Sequence, residues 1–170
     1  MLIAMAGLPG AGKSSVAEAL GRKLAAPVVS VDPIEAAMWR AGVARGGPTG
    51  LAAYLVAEAV AGGVLALGQA VIVDAVNAVE AARGQWRALA DRHGVPVVFI
   101  EVVCSDPVVH RRRLEGRSRG IEGFAEPTWE VVERRRAEFA PWANERLVLD
   151  SVADLSLNVA TASGFLASVR

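Results

Sequence analysis

Gly7-Leu8-Pro9-Gly10-Ala11-Gly12-Lys13-Ser14 follows directly on the apolar run Leu2–Ala6 and leads into Ser15-Val16-Ala17-Glu18-Ala19-Leu20. The stretch fits G-x-x-x-x-G-K-[ST] with an apolar strand before it and a helix after it, and few chains that carry it can be anything but α/β. Glycines let the backbone turn so that several N–H groups point inward at one anion, and the helix N-terminus adds its positive partial charge. The loop is therefore read as a phosphate cradle made by Gly7, Pro9, Gly10, Ala11, Gly12, Lys13, Ser14 and Ser15. Lys13 is placed to reach the β- and γ-phosphates of a nucleotide, and the Ser14 hydroxyl to ligate Mg²⁺. A dinucleotide loop is disfavoured, because lysine is central and G-x-G-x-x-G is absent at this site.

Five short apolar runs read as buried parallel strands: Leu2–Ala6, Val28–Val31, Ala70–Val73, Val97–Val103 and Arg146–Leu149. Helical segments alternate with them at about Lys13–Ala25, Pro33–Ala41, Leu51–Leu67, Val79–His93, Pro107–Leu114 and Thr128–Phe139, with a last one from about Ala153. Alternation of this kind gives right-handed crossovers and a sheet covered on both faces. The 170 residues suit a single domain, and 53% hydrophobic content argues against disorder. Leu51–Gly68 is the most lipid-like stretch, but it is short for a span and carries Glu58, so it is expected to be a buried helix. Two segments read as loops: Ala44–Gly50, rich in turn formers, and Glu115–Pro127, long and charged as lids are.

Ligands bind beyond the carboxyl ends of the strands in an open parallel sheet, and two aspartates occupy such ends. Asp74 closes Ala70-Val71-Ile72-Val73 and is the expected magnesium partner of Ser14. Asp32 ends Val28-Val29-Ser30-Val31 and precedes Pro33, a favoured first helical residue, so it reads both as a helix N-cap and as a base for a hydroxyl proton. Ser30 would share its strand face. Asn77 either caps the following helix or touches substrate.

His110–Gly120 holds Arg113 and Arg117 four residues apart, on one face if helical, with Arg111 and Arg112 as weaker candidates. Arginine offers planar paired donors to the charge that spreads over a transferring phosphoryl group, and a lid can deliver it while excluding water. Arg134-Arg135-Arg136, set among Glu133 and Glu138, reads as a surface face with salt bridges. Trp39, Trp86, Trp129 and Trp142 read as packing residues, although Trp39, Arg40 and Tyr54 flank the region after Asp32 and carry some weight for substrate. His93 falls near a helix end and His110 in the basic helix; neither pairs with a nucleophile, so a hydrolytic triad has no support.

Formal net charge is zero and the pI is near 6.7, which gives no global attraction to nucleic acid or to an anionic membrane. The one cysteine, Cys104, allows neither a disulfide framework nor a cysteine-based zinc site, and reads as a small core residue at a strand end. The N-terminus shows no basic region ahead of a long apolar run, so a cytoplasmic location is expected.

Together these residues resemble the small P-loop kinases related to nucleotide and shikimate kinases, and within them chloramphenicol phosphotransferase-like proteins and the kinase domain of polynucleotide kinases. The likeness spans most of the chain: AGLPGAGKSS, SVDPIEAAMW, VIVDAVNAVEAARGQWRALA, VVCSDPVVHRRRLEGRSRG and RLVLDSVAD. It implies a three-layer α/β/α sandwich with a five-stranded parallel sheet of order 2-3-1-4-5 and a small lid at about residues 107–127. It implies Mg·ATP as phosphoryl donor, Asp32 as catalytic base, Asp74 near magnesium, and Arg113 and Arg117 on the lid or beside adenine. A small-molecule hydroxyl is the leading acceptor. The 5′-hydroxyl of a polynucleotide is the alternative, and a nucleotide-dependent switch the alternative of another class. The acceptor is expected to be set between Asp32 and Tyr54, which lacks the arginine pattern of nucleoside monophosphate kinases.

Overall fold

The computed structural model describes residues 1–45, 48–143 and 145–169. In chain order the elements are β1 (Leu2–Ala6), α1 (Lys13–Leu24), β2 (Val28–Ser30), α2 (Val31–Arg40), α3 (Thr49–Ala66), β3 (Val71–Asp74), α4 (Glu80–His93), β4 (Val97–Val103), α5 (Pro107–Gly116), α6 (Trp129–Ala137), β5 (Leu147–Asp150) and α7 (Leu155–Ser168). The five strands pair in parallel in the order β2-β3-β1-β4-β5. This is the P-loop sandwich that the strand–loop–helix start requires. Of the loop expected at Ala44–Gly50, Gly46 and Gly47 lie outside the described residues.

Each central strand is buried on both faces, which is why it reads as an unbroken apolar run. Leu2 and Ala4 of β1 face one layer with Val71, Val73 and Phe99, against α3 and α4 through Ala53, Ala57, Ala61, Trp86 and Leu89. Ile3 and Met5 face the other with Ile72, Val98, Ile100 and Val102, against α1 and α7 through Val16, Leu20, Ala162 and Leu166. The small residues along the inner face of α3 let that helix lie close on the sheet.

Four expectations need correction. The second strand stops at Ser30, and Asp32 is the second residue of α2, not its cap; its carboxylate still suits the positive helix start, and Pro33 sits in the first turn, where an amide donor is not needed. The last strand begins at Leu147, because Arg146 leaves the ladder to pair with Glu101 and lie over Trp142. Asn77 neither caps a helix nor reaches the cleft. It is fully buried at φ +49°, its amide donating to Met5 O at 2.6 Å while its side-chain oxygen accepts from Trp86 Nε1 at 2.8 Å. Finally, α3 is not a buried helix: only 33% of it is buried, although by length and composition it could cross a membrane.

Candidate active site

Three backbone positions shape the loop between β1 and α1. Gly7, Gly10 and Gly12 have φ of +138°, +82° and +95°, in the region that L side chains avoid. At Gly7 a Cβ would also lie 2.3 Å from Val102 O, so nothing larger fits there. The far side of the loop is held by His110 of α5, buried, whose Nε2 lies 2.8 Å from Pro9 O. A carbonyl only accepts, so Nε2 carries the proton, and Nδ1 faces Arg136 at 3.5 Å. Burial pushes the His110 pKa down, and the nearby Arg136 charge pushes the same way against the Pro9 bond.

Lys13 and Asp74 come together where β1 and β3 end side by side. Lys13 Nζ lies 3.9 Å from Asp74 Oδ1, and both side chains are buried. Ser30 Oγ donates to Asp74 Oδ2 at 3.4 Å, while Oδ1 has no hydrogen-bond partner among the described residues. An unpartnered buried carboxylate oxygen costs free energy unless something else meets it. With the Ser14 hydroxyl in the first turn of α1, the donor set fits Mg²⁺, which takes one or two protein oxygens and fills its shell with phosphate and water. Among the described residues no cluster of three or more His, Cys, Asp or Glu side chains forms a self-sufficient metal cage.

One cleft of about 650 Å³ joins this corner to Asp32. Gly10, Gly12, Lys13, Ser14 and Ser15 line its floor, Ser30, Asp32 and Asp74 one wall, and Arg112, Arg113, Arg117 and Arg119 the roof. The roof is the end of α5 and the start of the segment between α5 and α6, and that segment is docked. Trp39 of α2 stacks on Phe124 at 5.5 Å, Arg40 donates to Glu122 O at 2.9 Å, and Arg45 donates to Gly123 O at 2.8 Å. Trp39, Arg40 and Arg45 thus receive the lid. The Tyr54 hydroxyl accepts from the backbone N–H of Asn77 at 3.2 Å, and burial raises its pKa.

Three of these arginines divide by partner. Arg113 turns toward the start of α7, donating to Ser151 O at 3.0 Å and Ser151 Oγ at 2.8 Å. Arg117 does not share its helical face, because α5 ends at Gly116 and Arg117 is already extended, with φ −82° and ψ 143°. It pairs instead with Glu126 at 2.6 Å. Arg119, which spacing did not single out, donates to Asp32 Oδ2 at 2.5 Å and to Glu126 Oε1 at 2.8 Å. Burial alone would raise the Glu126 carboxyl, but the bonds and charge of Arg119 and Arg117 outweigh it and hold it below its ordinary value. Burial works against the Arg119 charge, and its two carboxylates more than restore it. Burial, then repulsion from Arg119, lowers Arg117. Arg117 Nε and one terminal nitrogen of Arg119 remain buried without an acceptor among the described residues.

Two further arginines lie away from the cleft. Arg111 pairs with Glu115 outside the cleft, at 2.7 Å. Arg83 is fully buried and donates to four backbone carbonyls, those of Asn77, Ala78, Ala140 and Pro141, at 2.9–3.0 Å. Arg136 pairs with Glu133 at 3.2 Å on the exposed face expected for that cluster. Cys104 is buried just after β4, as a core residue would be.

A strand, a phosphate loop and two carboxylates at one end of a 2-3-1-4-5 sheet define the P-loop kinase class of fold. Residues 2–142 match the family described as the AAA domain, a span that takes in the loop, Asp32, Asp74 and the lid, and the chain belongs to that family. Among solved structures it is similar to Chaetomium thermophilum Kti12 in complex with ADP-AlF3, with 20% identity, TM-score 0.73 and 100% of both chains covered. It is similar to the Mycobacterium tuberculosis APS kinase CysC in complex with AMPPNP and APS, with 20% identity, TM-score 0.71 and 97% and 96% of the two chains covered. It is also similar to a gluconokinase from Sinorhizobium meliloti 1021, with 21% identity, TM-score 0.69 and 98% and 91% covered. At these identities the likeness is one of fold. No curated protein sequence matches.

Proposed function

We propose that the protein transfers the γ-phosphoryl group of Mg·ATP to a hydroxyl of a small molecule. The observation that carries this reading is the single cleft that holds the phosphate loop, the unpartnered Asp74 oxygen and the Asp32–Arg119 pair together. The loop amides and Lys13 bind the β- and γ-phosphates, and Arg113 with Ser151 flanks the adenine side. Ser14 and Asp74 hold Mg²⁺, which when bound neutralises developing charge on the phosphates. Asp32 takes the proton of the acceptor hydroxyl as its oxygen bonds to the γ-phosphorus, and the bond from that phosphorus to the β–γ bridging oxygen breaks to release ADP. Arg119 and Arg117, with donors to spare, stabilise the equatorial charge.

Two features support a small acceptor. The cleft lies within the range of about 300–1,000 Å³ usual for small-molecule sites, and the lid docked on α2 narrows the acceptor side against a polymer. The gluconokinase and the APS kinase share the fold. A cytoplasmic setting, where ATP is available, goes with the same reading.

The test is ADP release from Mg·ATP with phenicol and aminoglycoside antibiotics, sugars, nucleosides and a 5′-hydroxyl oligonucleotide. The reading expects release that depends on one small acceptor and falls about a hundredfold or more in Asp32→Asn, and that is lost in Lys13→Ala. Release only with the oligonucleotide would assign a polymer acceptor. No acceptor-dependent release, with ATP bound and a shape that differs between ATP and ADP, would assign a switch.

A further inference from the structure

α3 buries Ala53, Ala57, Ala61 and Leu65 at four-residue steps and leaves the opposite half of its surface uncovered. That half is wholly apolar. Leu51, Leu55, Val56, Val60 and Leu67 are exposed by 61, 54, 44, 48 and 76%. At 100° per residue they fall within one arc of about 180°, with exposed Ala59, Gly63 and Ala66 along its middle. An ordinary surface helix turns charge to water on this side. Here the one charged residue of the helix, Glu58, turns away to pair with Arg92 and Gln85 of α4. Sequence gave this helix the composition of a core element, and the fold covers only one side of it.

We propose that a second copy of this chain covers the other side, α3 crossing its own equivalent about a two-fold axis near Ala59. The face is at the scale of an interface: its exposed residues offer roughly 600 Å² per chain, so a pair hides roughly 1,200 Å², the lower end for a specific dimer. It is uncharged, so identical faces meet without repulsion, as an isologous contact requires. Ala59 lies midway along the helix and midway across the arc, where two helices approach most closely, and the neighbouring Gly63 has open space around it. A bilayer surface fits less well, because helices that lie on membranes carry Lys and Arg beside the apolar face and α3 has neither. The proposal does not depend on the reaction assigned to the cleft.

Sedimentation velocity of the full chain across low to high micromolar concentration tests it. The wild type is expected to shift toward twice the 17.7 kDa chain mass as concentration rises. Leu55→Glu and Val60→Glu, both on exposed positions, should weaken the dimer about tenfold or more, with unchanged circular dichroism. Ala59→Cys, in a chain whose native Cys104 is buried, should cross-link to a dimer with a short bismaleimide and lose that product when Leu55→Glu is added. A wild type that stays monomeric, dimers untouched by both charged variants, or no Ala59→Cys cross-link would each overturn the proposal. So would co-sedimentation with neutral phosphatidylcholine vesicles that the charged variants abolish, which would assign the face to lipid.

Discussion

Arg119 donates to Asp32 at 2.5 Å, across 87 residues of sequence, and its other edge is held by Glu126 at 2.8 Å. The pair ties the docked lid to Asp32, the carboxylate proposed above to receive a hydroxyl proton. The bond occupies Asp32 Oδ2; under the proposed reaction an acceptor hydroxyl that takes this oxygen displaces Arg119 and frees its guanidinium for the phosphates. Arg119→Ala is expected to lower kcat by about 10²–10³, and Arg119→Lys to recover little of it, because an ammonium cannot bridge two carboxylates as the planar fork does. Glu126→Gln should raise the acceptor KM more than it lowers kcat, since it loosens Arg119 without removing it. Steady-state kinetics on the three variants decide this, and equal kcat in wild type and Arg119→Ala would remove Arg119 from the reaction.

Lys13 and Asp74 form a buried pair at 3.9 Å, and the Oδ1 that faces Lys13 has no hydrogen-bond partner among the described residues. Removing either partner strands the other charge, which typically costs about 3–5 kcal/mol. Lys13→Met and Asp74→Asn are each expected to lower the melting temperature of the nucleotide-free protein, and the double variant to lose less than the two together, with a coupling of about 0.5–3 kcal/mol. In the same melts Mg·ATP should stabilise the wild type by mass action and fail to do so in Lys13→Met. Additive losses would mean that the two charges do not sense each other.

How much of this was legible in the sequence follows from range. The phosphate loop and the strand end at Asp74 rest on local signals, namely turn chemistry and an apolar run ending in acid, and each lies where those signals put it, while the strand order comes from the family resemblance. The Asp32 position was legible, but its place on α2 was not, because a three-residue strand running straight into a helix leaves no turn residue between them. Arg119 was missed because helical spacing was carried past Gly116; with the chain extended from Arg117, a period of two sets Arg117 and Arg119 on one side, and that alternation was the available signal. Nothing in the local sequence marks Arg83 as buried, since two of the four carbonyls that hold it come from Ala140 and Pro141, 57 and 58 residues away. The α3 composition implies burial, and composition does not say whether the covering surface belongs to the same chain.

Arg83 is a staple, and it gives a stability prediction that the cleft does not enter. Its guanidinium lies 3.7 Å from the centre of the Trp142 ring and donates to both the Asn77–Ala78 and the Ala140–Pro141 segments. Arg83→Met keeps length and apolar contact but leaves those carbonyls without their donor in a buried place. The expected cost is about 3 kcal/mol or more in urea unfolding, with Arg83→Lys intermediate because one ammonium cannot span both segments. A loss below about 0.5 kcal/mol, the range of an ordinary surface change, would mean that water replaces the guanidinium at little cost.

His110 is expected to make the protein's stability sensitive to acid. Neutral His110 donates from Nε2 to Pro9 O, and its other nitrogen faces Arg136, so a second proton would meet a cation inside the protein. Burial lowers its folded-state pKa below the ordinary value of 6.5. Above that value the residue is neutral folded and unfolded alike and contributes no pH dependence. As pH falls through 6.5 the unfolded chain takes up a proton that the folded chain refuses, so stability falls until the lowered folded-state pKa is passed. Urea midpoints are therefore expected to drop between neutral pH and mildly acidic pH in the wild type, and His110→Gln, which can still donate to Pro9 O, should flatten that slope while keeping nucleotide binding. If His110→Gln retained the full acid slope, the protons would be going elsewhere and His110 would serve only to hold the loop.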